Sequence, residues 1–350
     1  MITSSRGLSF ALAACGLLGG STAHAGASLF ATSSSPGPET VTDADIIAHP
    51  TGYTGTGGQI NVTVCIDPAF PFATESEQAL MNVADTWTMN QGSNNNIVPS
   101  GNAIVPAGKI DVESVFVHEV GHCVGLAHPN VGSESNLSDP TGTEDSTKSQ
   151  RGLNNTFNVN AGLDGRYGSA DDVRLDDLNV HWFQPGVNNP FVSAATVDRT
   201  TYTQSLLQLP IGQLFVANAD RDVGLNNFGF ANSEAVMQQL IFGTEVRRTL
   251  GVDDMVQRRI ANSGLDGIQG TADDYTLKLT YVGKTTACNI VVRFVDDAGF
   301  GFCRVFASGI NANAFQITSG EIRMQDDVNW FFNQESSTNN VFSNGFESPP

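Results

Sequence analysis

The chain has 350 residues, of which 40% are hydrophobic and 15% are charged. This composition is typical of a globular protein with one large domain or two ordinary ones, and it excludes wholesale disorder. The formal net charge of −19 argues against a nucleic-acid partner, because a polyanion would be repelled and no cluster of Lys and Arg interrupts the acidic balance.

The first 25 residues are typical of a secretory signal peptide. Arg6 precedes an apolar run over residues 7 to 20, and Ala-His-Ala at residues 23 to 25 fits a cleavage site. The run is too short for a transmembrane helix, and no later segment is apolar enough to cross a membrane. We therefore expect a secreted or periplasmic protein. A lipoprotein anchored through Cys15 is the alternative, since Leu-Ala-Ala-Cys ending at this residue also fits a lipidation box.

Three elements are predicted before the first histidine cluster. Residues 26 to 58 are rich in Ser, Thr, Gly and Pro, which predicts a flexible leader. The alternating polarity of residues 59 to 66 predicts a β-strand. Residues 75 to 91 then form an amphipathic helix. Its apolar side is made by Ala79, Leu80, Val83 and Trp87.

A stretch of eleven residues that begins at His118 reads His-Glu-Val-Gly-His-Cys-Val-Gly-Leu-Ala-His. On a helix, His118 and His122 project from the same face, so both imidazoles can reach one metal ion. Gly125 can adopt a positive φ and turn the chain so that His128 becomes the third ligand. Three protein ligands leave one position of a zinc ion open for water, as catalytic zinc sites do. Glu119 is then placed to act as general base.

The pattern His-Glu-x-x-His-x-x-Gly-x-x-His resembles the metzincin clan of zinc endopeptidases, and its wording here is closest to the matrixin-like members. The resemblance implies an α+β catalytic domain with a mixed, five-stranded twisted sheet over an active-site helix, a cleft across the domain and a methionine turn beneath the zinc. It also implies the element order strand, helix with a buried Trp, further short strands, zinc helix. Asp111 is the predicted N-cap of the zinc helix.

The ligand set and the resemblance predict a secreted zinc-dependent endopeptidase that acts on extended polypeptide. Zinc would lower the pKa of its water and polarise the scissile carbonyl, and Glu119 would carry the proton from the water to the leaving amine. The alternative is a metzincin-like surface protein that holds a peptide or a partner without turnover. A long insertion after His128 that covers the cleft would favour this alternative.

The methionine turn departs from the pattern of the matrixins, which place it shortly after the third histidine. This chain has no Met between Met89 and Met237, and we assign the turn to Met237. The reason is that residues 249 to 262 resemble the helix that closes metzincin domains, with Asp253 as its cap. A core methionine is the alternative for Met237, and residues 174 to 183 also resemble the closing helix.

This assignment defines the domain organisation. The catalytic domain covers residues 59 to 275 and contains an insertion at about residues 129 to 235. Residues 276 to 335 are β-rich and form either a small C-terminal module or added strands of the catalytic sheet. Residues 336 to 350 are a short tail.

One segment occurs twice, as Gly-Leu-Asp-Gly-Arg-Tyr-Gly-Ser-Ala-Asp-Asp from residue 162 and as Gly-Leu-Asp-Gly-Ile-Gln-Gly-Thr-Ala-Asp-Asp from residue 264. Glycines permit tight turns and aspartates can converge oxygens on a calcium ion, although the spacing is not that of an EF-hand. A plain Asp-Gly turn before a strand is the alternative. The candidate calcium ligands are Asp164, Asp171, Asp172, Asp266, Asp273 and Asp274.

Removal of a signal peptide leaves four cysteines, and an even number in an exported protein predicts disulfides. Cys288 and Cys303 flank two strand-like runs, so we expect them to close a hairpin. The remaining pair is then Cys65 with Cys123, which would tie an early strand to the zinc helix.

Overall fold

The structure is a computed structural model. It describes residues 47–93, 95–127, 243–296 and 299–337, together with positions 163, 182–183, 202–203, 232, 234–238 and 241. The described helices are α1 (Glu77–Met89), α2 (Val112–Cys123) and α3 (Val252–Asn262). The described strands are β1 (Ile47–His49), β2 (Gly58–Ile66), β3 (Ile110–Asp111), β4 (Trp182–Phe183), β5 (Tyr202–Thr203), β6 (Tyr275–Lys284), β7 (Ile290–Val295), β8 (Gly301–Asn311), β9 (Ala314–Gln325) and β10 (Trp330–Phe331).

The main sheet has six strands, and its neighbours run in the order β6, β2, β7, β9. These strands are parallel to one another. β1 adds to the start of β9, also in parallel, and β8 is antiparallel to β9. The fold is therefore α+β with a mostly parallel sheet. Two small pairs lie outside it, β3 with β10 and β4 with β5.

The core lies between this sheet and the two helices α1 and α2. β2 turns alternate residues to the core, and these are Ile60, Val62, Val64 and Ile66. α1 contacts β6 and α2, while α2 contacts β8 and β9. The apolar side predicted for α1 is buried as expected, and Trp87 is only 1% exposed. A fully buried aliphatic or aromatic side chain of this kind contributes roughly 1.5–3 kcal/mol.

The predicted leader is wrong for its last twelve positions. Ile47 pairs with Ala314 of β9, and Tyr53 is fully buried, so the chain from residue 47 onward belongs to the folded domain. The composition of this segment, rich in Ser, Gly and Pro, predicts flexibility. The segment is ordered because its few apolar residues are buried against the sheet. The leader before residue 47 and the predicted signal peptide lie outside the described residues.

The expected order of strands also needs correction. Among the described residues between α1 and α2, the only strand is β3, with two residues. The neighbours of β2 in the sheet come instead from residues 275–295, after α2 in the chain. The β-rich C-terminal residues are therefore added strands of the same sheet and not a separate module. No helix within the described ranges is long and apolar enough to span a bilayer.

Both predicted disulfide pairs are wrong, although all four cysteines form bridges. Cys65 bonds to Cys288, and Cys123 bonds to Cys303. The predicted hairpin does not exist, because β9 pairs with both β7 and β8 and thus lies between them. β7 lies beside β2 instead, and this brings Cys288 to Cys65.

The N-terminus of α2 is fixed by a buried polar network. The predicted cap is confirmed, since Asp111 accepts a hydrogen bond of 3.1 Å from the Ser114 amide. Arg248 also binds Asp111 through Nε at 2.9 Å. Glu113 accepts from Asn82 at 2.9 Å and from Asn333 at 2.6 Å. Burial raises the pKa of Glu113 to about 7, against the opposing effects of Arg248 and the two amides.

Glu113→Gln is expected to flatten the pH dependence of the unfolding free energy between pH 4.5 and about 7. The pKa of Glu113 is about 7 in the folded chain and 4.5 as the ordinary value, so the folded state binds more protons in this window. Its stability therefore falls as pH rises. We expect the wild type to lose about 2 kcal/mol more than the variant.

Urea unfolding of both proteins at several pH values across this window measures the difference. Because other groups titrate equally in both chains, the difference isolates Glu113. Parallel stability profiles would show that the burial of this carboxyl group does not influence folding.

Candidate metal centre

Two histidines form the one face of α2 that is not buried. Ten of the twelve helix residues are buried, and the exceptions are His118 and His122, both half-buried. They are four residues apart and therefore share one side of the helix.

Backbone carbonyls orient both imidazole rings. Nδ1 of His118 lies 2.8 Å from the carbonyl oxygen of Val236, and Nδ1 of His122 lies 2.8 Å from that of Leu126. A carbonyl oxygen can only accept, so Nδ1 carries the hydrogen and Nε2 carries the lone pair in each neutral ring. Metal-binding histidines are commonly oriented by such a hydrogen bond from the ring nitrogen that does not bind the metal.

The two Nε2 atoms converge. They lie 3.0 Å apart, and the rings are nearly perpendicular, at 87°. Two nitrogens bound to one tetrahedral zinc ion at ~2.0–2.1 Å are separated by roughly 3.3 Å. The donor type, the tautomers and the separation therefore fit zinc.

Gly125 adopts the conformation that the sequence predicts for it. Its φ is 114°, and a Cβ at this position would approach the carbonyl oxygen of Ala48 to 2.5 Å. Only glycine suits such a turn. His128 lies just beyond, outside the described residues, and the part of the chain that the structure describes contains no group of three His, Cys, Asp or Glu residues suited to a metal ion.

Glu119 lies on a different side of α2 from the histidines and faces β8. The residue is 4% exposed, and the backbone amide of Cys303 faces its carboxyl group. Oε2 is buried and has no hydrogen-bond partner among the described residues. Burial raises the pKa of Glu119 to about 8, and the Cys303 amide acts in the opposite direction.

Met237 packs directly under the helix that carries the histidines. Its side chain is 2% exposed, and a Cβ added to Gly121 would collide with its Sδ atom. The same Cβ would lie 2.9 Å from Cζ2 of Trp87. The preceding residue, Val236, supplies the carbonyl that orients His118. Met237 and the histidines thus form one packed unit.

Asp254 holds this turn in place, a role that its sequence context does not indicate. Its carboxylate accepts from the amides of Val236 at 2.9 Å and Met237 at 3.2 Å. It also accepts from the amide of Gly251 at 2.7 Å, and Gly251 is the N-cap of α3 in place of the predicted Asp253. Burial raises the pKa of Asp254 to about 6. The two adjacent aspartates at positions 253 and 254 are visible in the sequence as candidates for this role. The tertiary contacts with Val236 and Met237 decide that Asp254 is the residue that binds the turn.

The second copy of the repeat forms a loop whose aspartates bind its own backbone. Asp273 accepts from the amide of Leu265 at 2.6 Å, and Asp274 accepts from that of Gly270 at 2.6 Å. Asp266 accepts from Ile268 at 2.8 Å. These contacts account for the three aspartates as turn residues. Asp164, Asp171 and Asp172 of the first copy lie outside the described residues, and calcium binding stays a prediction.

Comparison of the chain with protein-family models, with curated proteins and with solved structures found no match.

Gly121→Ala is expected to lower the thermal stability, although alanine favours a helix by about 1 kcal/mol. The new methyl group would overlap with Met237 and Trp87 in the packed core. Such overpacking lowers the free energy of unfolding by roughly 1–3 kcal/mol, which exceeds or offsets the gain in helix propensity. Gly309→Ala is the matched control, because the added Cβ would lie 3.9 Å from its nearest neighbours. Thermal unfolding followed by circular dichroism compares the two, and equal midpoints would contradict the packing described for Met237.

Proposed function

We propose that the chain is a zinc-dependent endopeptidase that hydrolyses extended polypeptide, with Glu119 as general base. The observation that carries the proposal is the convergence of the His118 and His122 Nε2 atoms, 3.0 Å apart, at the two half-buried positions of an otherwise buried helix. His128, at the position of the third ligand in the sequence motif, completes the proposed ligand set. Met237 is the proposed methionine turn, and the metzincin clan is the proposed family.

The chemistry divides between the metal ion and the chain. Zinc, when bound, would supply a Lewis acid that acidifies water and polarises a carbonyl group. His118 and His122 present neutral nitrogens because carbonyl oxygens hold their Nδ1 hydrogens. Glu119 accepts a proton from the attacking water and delivers it to the departing amine nitrogen. The amide of Cys303 faces this buried carboxyl group and favours its charged form.

The strand beside Glu119, β8, has an outer edge to which an extended polypeptide could bind. Among the described strands, β8 pairs with β9 alone, so its other edge presents backbone N–H and C=O groups. An extended peptide can add to such an edge by main-chain hydrogen bonds, with alternate side chains available for specificity. Because Cys303 near the start of β8 contacts Glu119, a peptide on this edge would lead towards the proposed site.

The two disulfides support a location in an oxidising compartment. Such bonds persist in secreted and periplasmic proteins and are rare in the cytosol. The predicted signal peptide points to the same location.

Glu119→Gln is expected to reduce kcat for cleavage of an unfolded protein such as casein by roughly 10²–10⁴-fold, because general acid–base catalysis contributes about this much. The amide retains the size of the side chain but cannot take a proton from water. Zinc content should stay at about one ion per chain, as measured by mass spectrometry of the purified protein. Glu77→Gln, on the surface of α1 beside Lys284, is the control and should retain activity.

Unchanged cleavage by the Glu119 variant would contradict the assigned base. A wild-type protein that carries zinc yet cleaves no member of a broad peptide library would contradict the peptidase and support the peptide-binding alternative. Absence of tightly bound zinc in the wild type would contradict both.

A further inference from the structure

The sheet-facing side of α2 carries a second pair of residues with the spacing of the histidines. Glu119 and Cys123 are four positions apart, so they share a side of the helix that lies about 100° round from His118 and His122. Both are buried, at 4% and 1% exposure. Both contact the same residue of the outer strand, Cys303.

Cys303 attaches β8 to α2 at two points. Its backbone amide faces the carboxyl group of Glu119, and its Sγ is bonded to that of Cys123 across a Cα–Cα distance of 5.8 Å. The covalent bond fixes the distance between the strand and the helix. The contact between the amide and the carboxyl group depends on that distance, since an amide donor loses its effect within a few tenths of an ångström beyond about 3.2 Å.

The strands β8 and β9 pack closely against α2 around this attachment. A Cβ at Gly301 would lie 3.3 Å from Oε1 of Glu119, and a Cβ at Gly320 would lie 3.0 Å from Sγ of Cys123. Two strands therefore approach the helix closely because they carry glycine at these positions. Displacement of β8 towards or away from α2 acts directly on the carboxyl group.

β8 needs such an attachment because it is an outer strand. Of the described strands, only β9 pairs with it, and its register shifts twice, between Phe306 and Ala307 and between Gly309 and Asn311. Phe306 is 59% exposed, so the middle of the strand packs against little else. Outer strands of this kind separate from a sheet more readily than inner ones.

We propose that the Cys123–Cys303 bridge is a positioning device for Glu119. By fixing the start of β8 against α2, it keeps the amide of residue 303 on the Glu119 carboxyl group and holds that group in one orientation. Cys303 is thus a positioning residue. Its role in turnover rests on the proposed peptidase function, whereas the coupling between bridge and amide does not.

The second disulfide offers a matched control. Cys65 lies in β2 and Cys288 lies just before β7, so this bridge joins two inner strands of the sheet and includes no residue of α2 or β8. It spans 223 residues of sequence, and the Cys123–Cys303 bridge spans 180. Loops of such similar length restrict the unfolded chain to a similar degree.

The first experiment compares Cys123→Ser/Cys303→Ser with Cys65→Ser/Cys288→Ser, both zinc-loaded and at a temperature where both are folded. The first variant should lose about 10- to 100-fold in kcat, with KM changed less than about threefold, because misplacement of a catalytic group by an ångström acts on this scale. The control variant should retain kcat within about threefold. Equal losses of kcat in the two variants, or no loss in either, would overturn the proposal.

A second comparison leaves both bridges intact and applies if the first variant fails to fold. Gly301→Ala adds a methyl group 3.2 Å from Sδ of Met324, a flexible side chain, and 3.3 Å from Oε1 of Glu119, whereas Gly309→Ala adds one on the same strand with nothing nearer than 3.9 Å. We expect a lower kcat for the first and an unchanged kcat for the second. Equal kcat values would contradict a tight coupling between β8 and Glu119.

The third measurement does not depend on activity. Hydrogen exchange of the amide at position 303, followed by NMR in the zinc-free protein, should accelerate by at least about tenfold when Cys123 and Cys303 are replaced by serine or when Glu119→Ala removes the acceptor. It should not change in Cys65→Ser/Cys288→Ser. Unchanged exchange without the bridge would overturn the positioning role. If the exchange pattern holds but the wild type cleaves nothing, the peptidase assignment fails and the coupling stands.

Discussion

Close packing of α2 on every side but one is the constraint on which the rest of the structure depends. Trp87 of α1 and Met237 meet the helix at Gly121, and Gly301 and Gly320 bring two strands of the sheet against it. Side chains larger than those present would force these neighbours apart. The helix therefore has a single fixed orientation, in which only His118 and His122 face outward.

Distant parts of the chain fix the two histidines from different directions. The carbonyl of Leu126, just beyond the end of α2, binds His122. The carbonyl of Val236, more than a hundred residues away in the sequence, binds His118. The position of Val236 in turn depends on Asp254 at the start of α3. An ion pair between Glu234 and Arg247, with both side chains almost fully buried, fixes the same segment. Buried ion pairs of this kind add little net stability but favour one arrangement over others.

The opposite end of α2 is held in a similar manner. Arg248 binds Asp111, which caps the helix, and the amides of Asn82 and Asn333 bind Glu113. The segment 245–248 thus follows Met237 in the chain and also reaches the start of α2. Both ends of α2 contact the same region of the chain, so the orientation of the histidines is coupled to the packing of Met237.

The local elements near the proposed site could be predicted from the sequence, because their signals are local. The period of Ala79, Leu80, Val83 and Trp87 predicts α1, and Asp111 with the histidine spacing predicts α2 and its start. The helix over residues 252–262 and the positive φ of Gly125 follow from similar local patterns.

Pairings between distant segments could not be predicted in the same way. Cys288 and Cys303 are close in sequence, but β9 separates their strands, and parallel pairing has no turn to mark it. The placement of Ile47 and Tyr53 in the domain depends on partners more than two hundred residues away. The contact between Cys303 and Glu119 is made by a backbone amide, which no side-chain pattern reports.

X-ray absorption at the zinc edge of the metal-loaded protein measures directly whether the histidines of α2 bind one zinc ion. We expect about three imidazole nitrogens at ~2.0–2.1 Å and an oxygen ligand from water. His122→Ala should remove one imidazole from that shell or abolish binding. A shell without imidazole, or one that is unchanged by the His122 substitution, would show that these histidines are not the zinc ligands.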